Sequence, residues 1–129
     1  MRRLRLILLS FCMGIMLVFA STGIVGATDV WVSHWNDENV DVYVMDNTLD
    51  YGINSNGRWF SVSTKMVQNG HLKRIVNWHF VKSGSEVWRY YTNTMSGDHT
   101  TAVHPYNGVF VYGMKYLGWP YYVRDMWYY

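Results

Sequence analysis

By polarity alone, residues 29–104 fall into short segments of period-two alternation broken by clusters of Asn, Asp, Gly and Ser. That is the pattern of half-buried strands joined by turns. Residues 29–35 and 40–46 flank the polar run Asn36-Asp37-Glu38-Asn39 and predict a first hairpin, with Val30, Val32, Val40, Val42 and Val44 on its core side. Residues 46–57, ending in Asn54-Ser55-Asn56-Gly57, read as a loop. The segment RWFSVSTKMVQNGHLKRIVNWHF, residues 58–80, carries Asn69-Gly70 between two alternating runs and predicts a second hairpin. A two-residue loop would set Lys65 opposite Arg74 and mix polar with apolar residues on both faces. A three-residue loop, Gln68-Asn69-Gly70 with Gly70 left-handed, pairs Val67 with His71 instead. It gathers Phe60, Val62, Met66, Leu72, Val76, Trp78 and Phe80 on one face, so it is the expected loop. Residues 86–93 and 99–104 continue the strand pattern, with Ser83-Gly84-Ser85 and Met95-Ser96-Gly97 as turns.

The period changes after Pro105. Val109, Phe110, Gly113, Met114 and Leu117 recur at helical spacing, and Gly118 followed by Pro120 after a lysine-bearing last turn is a helix stop. Val109-Phe110-Val111-Tyr112 also suits a strand, and each internal glycine costs a helix about 1 kcal/mol; the helix is the preferred reading. Residues 121–129 are too aromatic to lie free in water and are expected to dock. The predicted fold class is α+β: an antiparallel, meander-like sheet of about six strands, one C-terminal helix packed on one face, and an aromatic tail.

Upstream of the strands, Arg2, Arg3 and Arg5 precede an uncharged run, residues 6–27, which reads as an export signal. Val25-Gly26-Ala27 favours cleavage before Thr28, and Val18-Phe19-Ala20 offers a second position. Left unprocessed, the same 22 residues are long enough to span a bilayer, so a membrane enters only through an uncleaved segment. Bulky Phe11 before Cys12 argues against a lipidated cysteine. The expected organisation is a signal peptide, 1–27, and a single exported domain, 28–129, periplasmic or extracellular.

Removing the signal changes the charge. The whole chain carries formal charge +2, but loss of three arginines leaves −1, which disfavours nucleic acid as a partner. Residues 28–129 hold no cysteine, so burial must supply their stability. The material for burial is 7 Trp, 11 Tyr and three of the 5 Phe.

Two stretches, VWRYYTNTMSGDHT and KYLGWPYYVRDMWYY, resemble segments of small exported bacterial proteins that have no assigned activity. The similarity extends over most of residues 28–129. It implies one α+β domain behind an export signal, and it implies no activity, cofactor or catalytic residue.

Chemistry-bearing residues are sparse. His99 and His104 differ by an odd number, so on a strand they point to opposite faces roughly 17 Å apart, too far to share an ion. Asp98 reads as a turn residue. His34, His71 and His79 show no zinc spacing, no nucleophile elbow marks a serine, and most carboxylates lie in turns or at strand ends. No metal, cofactor or catalytic set is predicted, and a small hydrolase is the least favoured class. The face opposite the valines and Phe60 carries Trp31, Trp35, Tyr43, Trp59 and His79, with Ser61 and Ser63 between them. Such rings either lie under another element or meet a partner. Flat rings stack on sugar faces, and Trp and Tyr are enriched at protein interfaces. The expected function is non-enzymatic binding at or outside a bacterial cell envelope. The partner is a cell-wall or host glycan, or alternatively an envelope protein or a second copy meeting the same surface.

Overall fold

From residue 29 onward the alternation is realised as strands. In the computed structural model, which describes residues 28–97 and 99–129, these are β1 (Asp29–Trp35), β2 (Val40–Asn54), β3 (Gly57–Gln68), β4 (His71–Ser83), β5 (Arg89–Thr92) and β6 (Thr101–Ala102). The expected export segment and Asp98 lie outside the described residues. Each strand pairs antiparallel with its neighbour in sequence, giving one six-stranded sheet in chain order. A helix, α1 (Gly108–Leu117), and a separate hairpin of β7 (Val123–Arg124) and β8 (Trp127–Tyr128) complete the α+β fold.

One sheet face is the core. Val40, Val42 and Val44 from β2, Phe60, Val62 and Met66 from β3, and Val76, Trp78 and Phe80 from β4 are all buried there. Helix α1 lays Val109, Phe110, Gly113 and Met114 on this face, the stripe that helical spacing predicted. Fully burying such side chains is worth about 1.5–3 kcal/mol each, which is how a segment without cysteines holds together. Phe60 sits at the centre, its ring centroid 4.7 Å from Phe80, 5.9 Å from Trp88 and 6.2 Å from Phe110. The buried Thr64 hydroxyl donates to the Val76 carbonyl (3.3 Å) and accepts from Trp78 Nε1 (3.0 Å), so this polar group is not stranded.

The helix ends as expected. Asn107 caps its start by accepting from the Phe110 N–H (3.0 Å), and left-handed Gly118 (φ 68°) ends it, with the Gly118 and Trp119 N–H groups donating to the Lys115 and Met114 carbonyls. The aromatic tail docks: Tyr128 is buried with its ring 4.5 Å from Phe110, its hydroxyl donates to the Pro105 carbonyl, and its own carbonyl accepts from the Trp88 N–H.

Bulges account for most departures from the expected pattern. Residues 46–57 are not a loop: β2 continues to Asn54, with residues 46–49 bulged opposite Val62 alone. Thr48 secures that bulge, its hydroxyl donating to the Met45 carbonyl (2.6 Å) and accepting from the Ser63 N–H (2.9 Å). The β3–β4 turn is the two-residue Asn69-Gly70, both left-handed (φ 51° and 76°), rather than three residues long. Gln68 therefore pairs with His71, and Lys73 bulges out so that Met66 meets Arg74 and Lys65 meets Ile75. The bulge restores the parity that a three-residue loop would have set and keeps the two cations apart. Leu72, on the turn side of the bulge, is moved to the outer face and is 41% exposed. In β1, Val32 bulges between Trp31 and Ser33, so Trp35 pairs with Val40 and turns to the core, 6.3 Å from Trp78. The strands expected over 86–93 and 99–104 shorten to β5 and β6.

Candidate functional site

Helix and tail both pack into the core cluster, which leaves the other sheet face open among the described residues. Register decides which of the predicted rings share it. Trp31, Tyr43, Lys65 and Ile75 form one row across β1 to β4. There the Trp31 indole N–H donates to Asp41 Oδ1 (3.0 Å), and His34 Nδ1 lies 2.9 Å from the same oxygen. These two bonds, the indole's first, hold the Asp41 carboxyl below its ordinary value. Lys65 reaches Asp29 at 2.8 Å, so this end of the face is tied down by polar bonds while Trp31 remains 53% exposed. The His34–Asp41 pair is an oriented imidazole, and among the described residues no serine, threonine or other nucleophile is hydrogen-bonded to His34.

The second group stands six residues further along β3, about 20 Å away at strand rise. Trp59 stacks on His79 (centroids 5.3 Å, planes 23° apart), and His79 meets Tyr91 of β5 on its other side (4.9 Å, 33°). Gly52 of β2 makes room for the indole: a Cβ there would lie 2.3 Å from Trp59 Nε1. The outcome is a row of three rings across three strands, with Trp59 lying over Gly52 at one end and Tyr91, 47% exposed, open at the other. Thus Trp59 and His79 come together, Trp31 and Tyr43 form a distant pair, and Trp35 belongs to the core. Tyr91 was missed. It adjoins Tyr90, whose ring faces the core at 5.3 Å from Trp78, and in a doublet of the same residue alternation names neither side.

Beyond Tyr91 lies a pocket of about 310 Å³ lined by Tyr91, Thr92, Met95, Gly97, His99 and Thr100. It exists because β6 begins only at Thr101, which pairs with Tyr90, so no strand residue stands on the far side of Tyr91. Arg89 fixes its rim, donating through Nε to the Thr100 hydroxyl (2.7 Å) and through Nη2 to the Thr100 carbonyl (2.6 Å). His99 lines this pocket while His104 packs on Trp127 (5.4 Å), so the two imidazoles serve separate places. No group of three or more His, Cys, Asp or Glu among the described residues is placed to hold a metal ion.

Burial also disfavours the charged form of His79 and draws its pKa below 6.5. The unfolded chain then takes up a proton that the folded one resists. His79 therefore lowers stability as pH falls from about 6.5 through its folded value, and contributes no such loss above that window. An imidazole NMR titration is expected to place the His79 midpoint below 6.5; a midpoint at or above it would mean that the ring is not enclosed by Trp59 and Tyr91.

Fold and face together define an α+β domain in which a six-stranded meander is covered on one side and, among the described residues, presents rings and neutral polar groups at one end of the other face and ion-paired and apolar side chains at the opposite end. Among the described residues no helix is long and apolar enough to cross a membrane. No family matches the chain, and no curated protein or solved structure is detectably similar to it.

Proposed function

We propose that this is an exported, non-enzymatic binding domain that acts at or outside a bacterial cell envelope and holds a glycan on its open sheet face. Export rests on the basic start and uncharged run of residues 1–27. The glycan reading rests on one observation above others, the Trp59–His79–Tyr91 row, open at Tyr91 and bordered by Ser61, Ser63 and Asn77. Apolar ring faces beside neutral hydroxyl and amide groups match a pyranose, which has apolar C–H faces and a rim of hydroxyls. A protein partner is the second reading. It draws on exposed Leu72 and Ile75 at the other end of the face, apolar surface of the kind protein interfaces bury.

Co-sedimentation of the purified protein with insoluble, protein-free cell-wall glycan tests the first reading. Retention that a soluble fragment of the same glycan competes away is the expected result. Trp59→Ala is expected to reduce retention severalfold and to cost about 1–2 kcal/mol of stability, because the indole is half-buried but outside the core. Absence of retention on several glycans would shift the assignment to the protein partner.

A further inference from the structure

Resting on that reading, we infer that the pocket beside Tyr91 is the subsite that gives the face its selectivity, and that it takes one pyranose ring bearing an N-acetyl group. The row of rings carries the argument. Both sides of His79 are occupied by neighbours, and Trp59 lies over Gly52 with His79 stacked on it, bordering only a small pocket of about 120 Å³. The ring of the row that borders a pocket large enough for a sugar ring is Tyr91, and the place a fourth ring would fill is that pocket. Its volume, about 310 Å³, lies at the small end of the range for ligand sites and suits a single ring rather than an oligomer.

The lining selects the chemistry. Met95 supplies a soft apolar wall of the kind that accommodates a methyl group. His99 has no hydrogen-bond partner among the described residues, and Thr100, whose hydroxyl oxygen already accepts from Arg89, keeps its proton to donate. An acetamido group offers that set a methyl, a carbonyl acceptor and an N–H donor. A ring bearing only hydroxyls leaves the Met95 wall without its counterpart.

The test uses the full chain labelled with ¹³C at methionine methyls, with the Met95 signal assigned through Met95→Leu, and titrates free N-acetylglucosamine and free glucose. The Met95 methyl is expected to shift with N-acetylglucosamine and to respond at least fivefold less to glucose. In the sedimentation assay on N-acetylated glycan, Tyr91→Ala and His99→Ala are expected to weaken retention at least tenfold. Tyr91→Trp keeps the stacking surface and keeps retention, and Tyr116→Ala, on the exposed side of α1, leaves it unchanged. Equal response to both sugars overturns the N-acetyl assignment. Retention lost in Trp59→Ala but intact in Tyr91→Ala and His99→Ala overturns the subsite while the glycan reading stands. A protein that neither sediments with any glycan nor shifts its Met95 signal overturns both.

Discussion

Phe60→Ala is expected to cost about 3–5 kcal/mol, the range for emptying a buried phenylalanine site that cannot collapse. Phe60 is fully buried where sheet, helix and tail meet, with Phe80, Trp88, Phe110 and Trp119 around its ring. Those neighbours are themselves large and locked against each other, so the space left behind stays open. A domain of this size has roughly 5–15 kcal/mol of stability in total, and the substitution removes a large share of it. Urea unfolding followed by tryptophan fluorescence should show a much lower midpoint with little change in slope. A loss under about 1 kcal/mol, well below the cavity range, would mean that helix and sheet do not meet at Phe60.

Gly113→Ala tests the same contact from the other side and should have the opposite sign from its usual effect. In an exposed helix interior this change stabilises by about 1 kcal/mol. Here a Cβ on Gly113 would stand 2.2 Å from Phe60 Cε2 and 2.6 Å from Cζ, closer than real atoms approach. The helix must lift or the ring must tilt, and overpacking of this kind costs about 1–3 kcal/mol. Combining Gly113→Ala with Phe60→Leu should cost less than the sum of the two, because the smaller side chain vacates the space the new methyl needs. Additive losses would show that the two residues are not in contact, and a stabilised Gly113→Ala would show that α1 is not seated on this face.

Much of this architecture is visible in the order of residues. Val40, Val42 and Val44, and Phe60 with Val62, announce their face by strict alternation, and Gly118 with Pro120 announces where the helix stops. Alternation is a parity argument, however, and one inserted residue inverts everything beyond it. Val32 and Lys73 are ordinary strand residues, so nothing in their chemistry marks them as bulges. Trp35 consequently lies on the core side and Leu72 on the open side. The second hairpin shows how the correct face can follow from the wrong turn: a two-residue turn plus one bulge has the same parity as a three-residue loop. The pocket was illegible for a different reason. It depends on where β6 begins relative to Tyr91, a matter of long-range pairing that local pattern does not encode.

The bulge at Val32 has a consequence for the border of the sheet. A sheet's outermost strand offers unsatisfied N–H and C=O groups to any extended peptide, and a long flat border is the template from which fibres grow. On one border β1 is bent at Val32, and the start of α1 closes on that point, where a Cβ on Gly108 would lie 2.7 Å from the Val32 carbonyl oxygen. On the other border β6 is only two residues long. The border is thus blunted at Val32 and at β6, whereas residues 71–76 of β4 have a strand partner only in β3 among the described residues and stay open to an added strand.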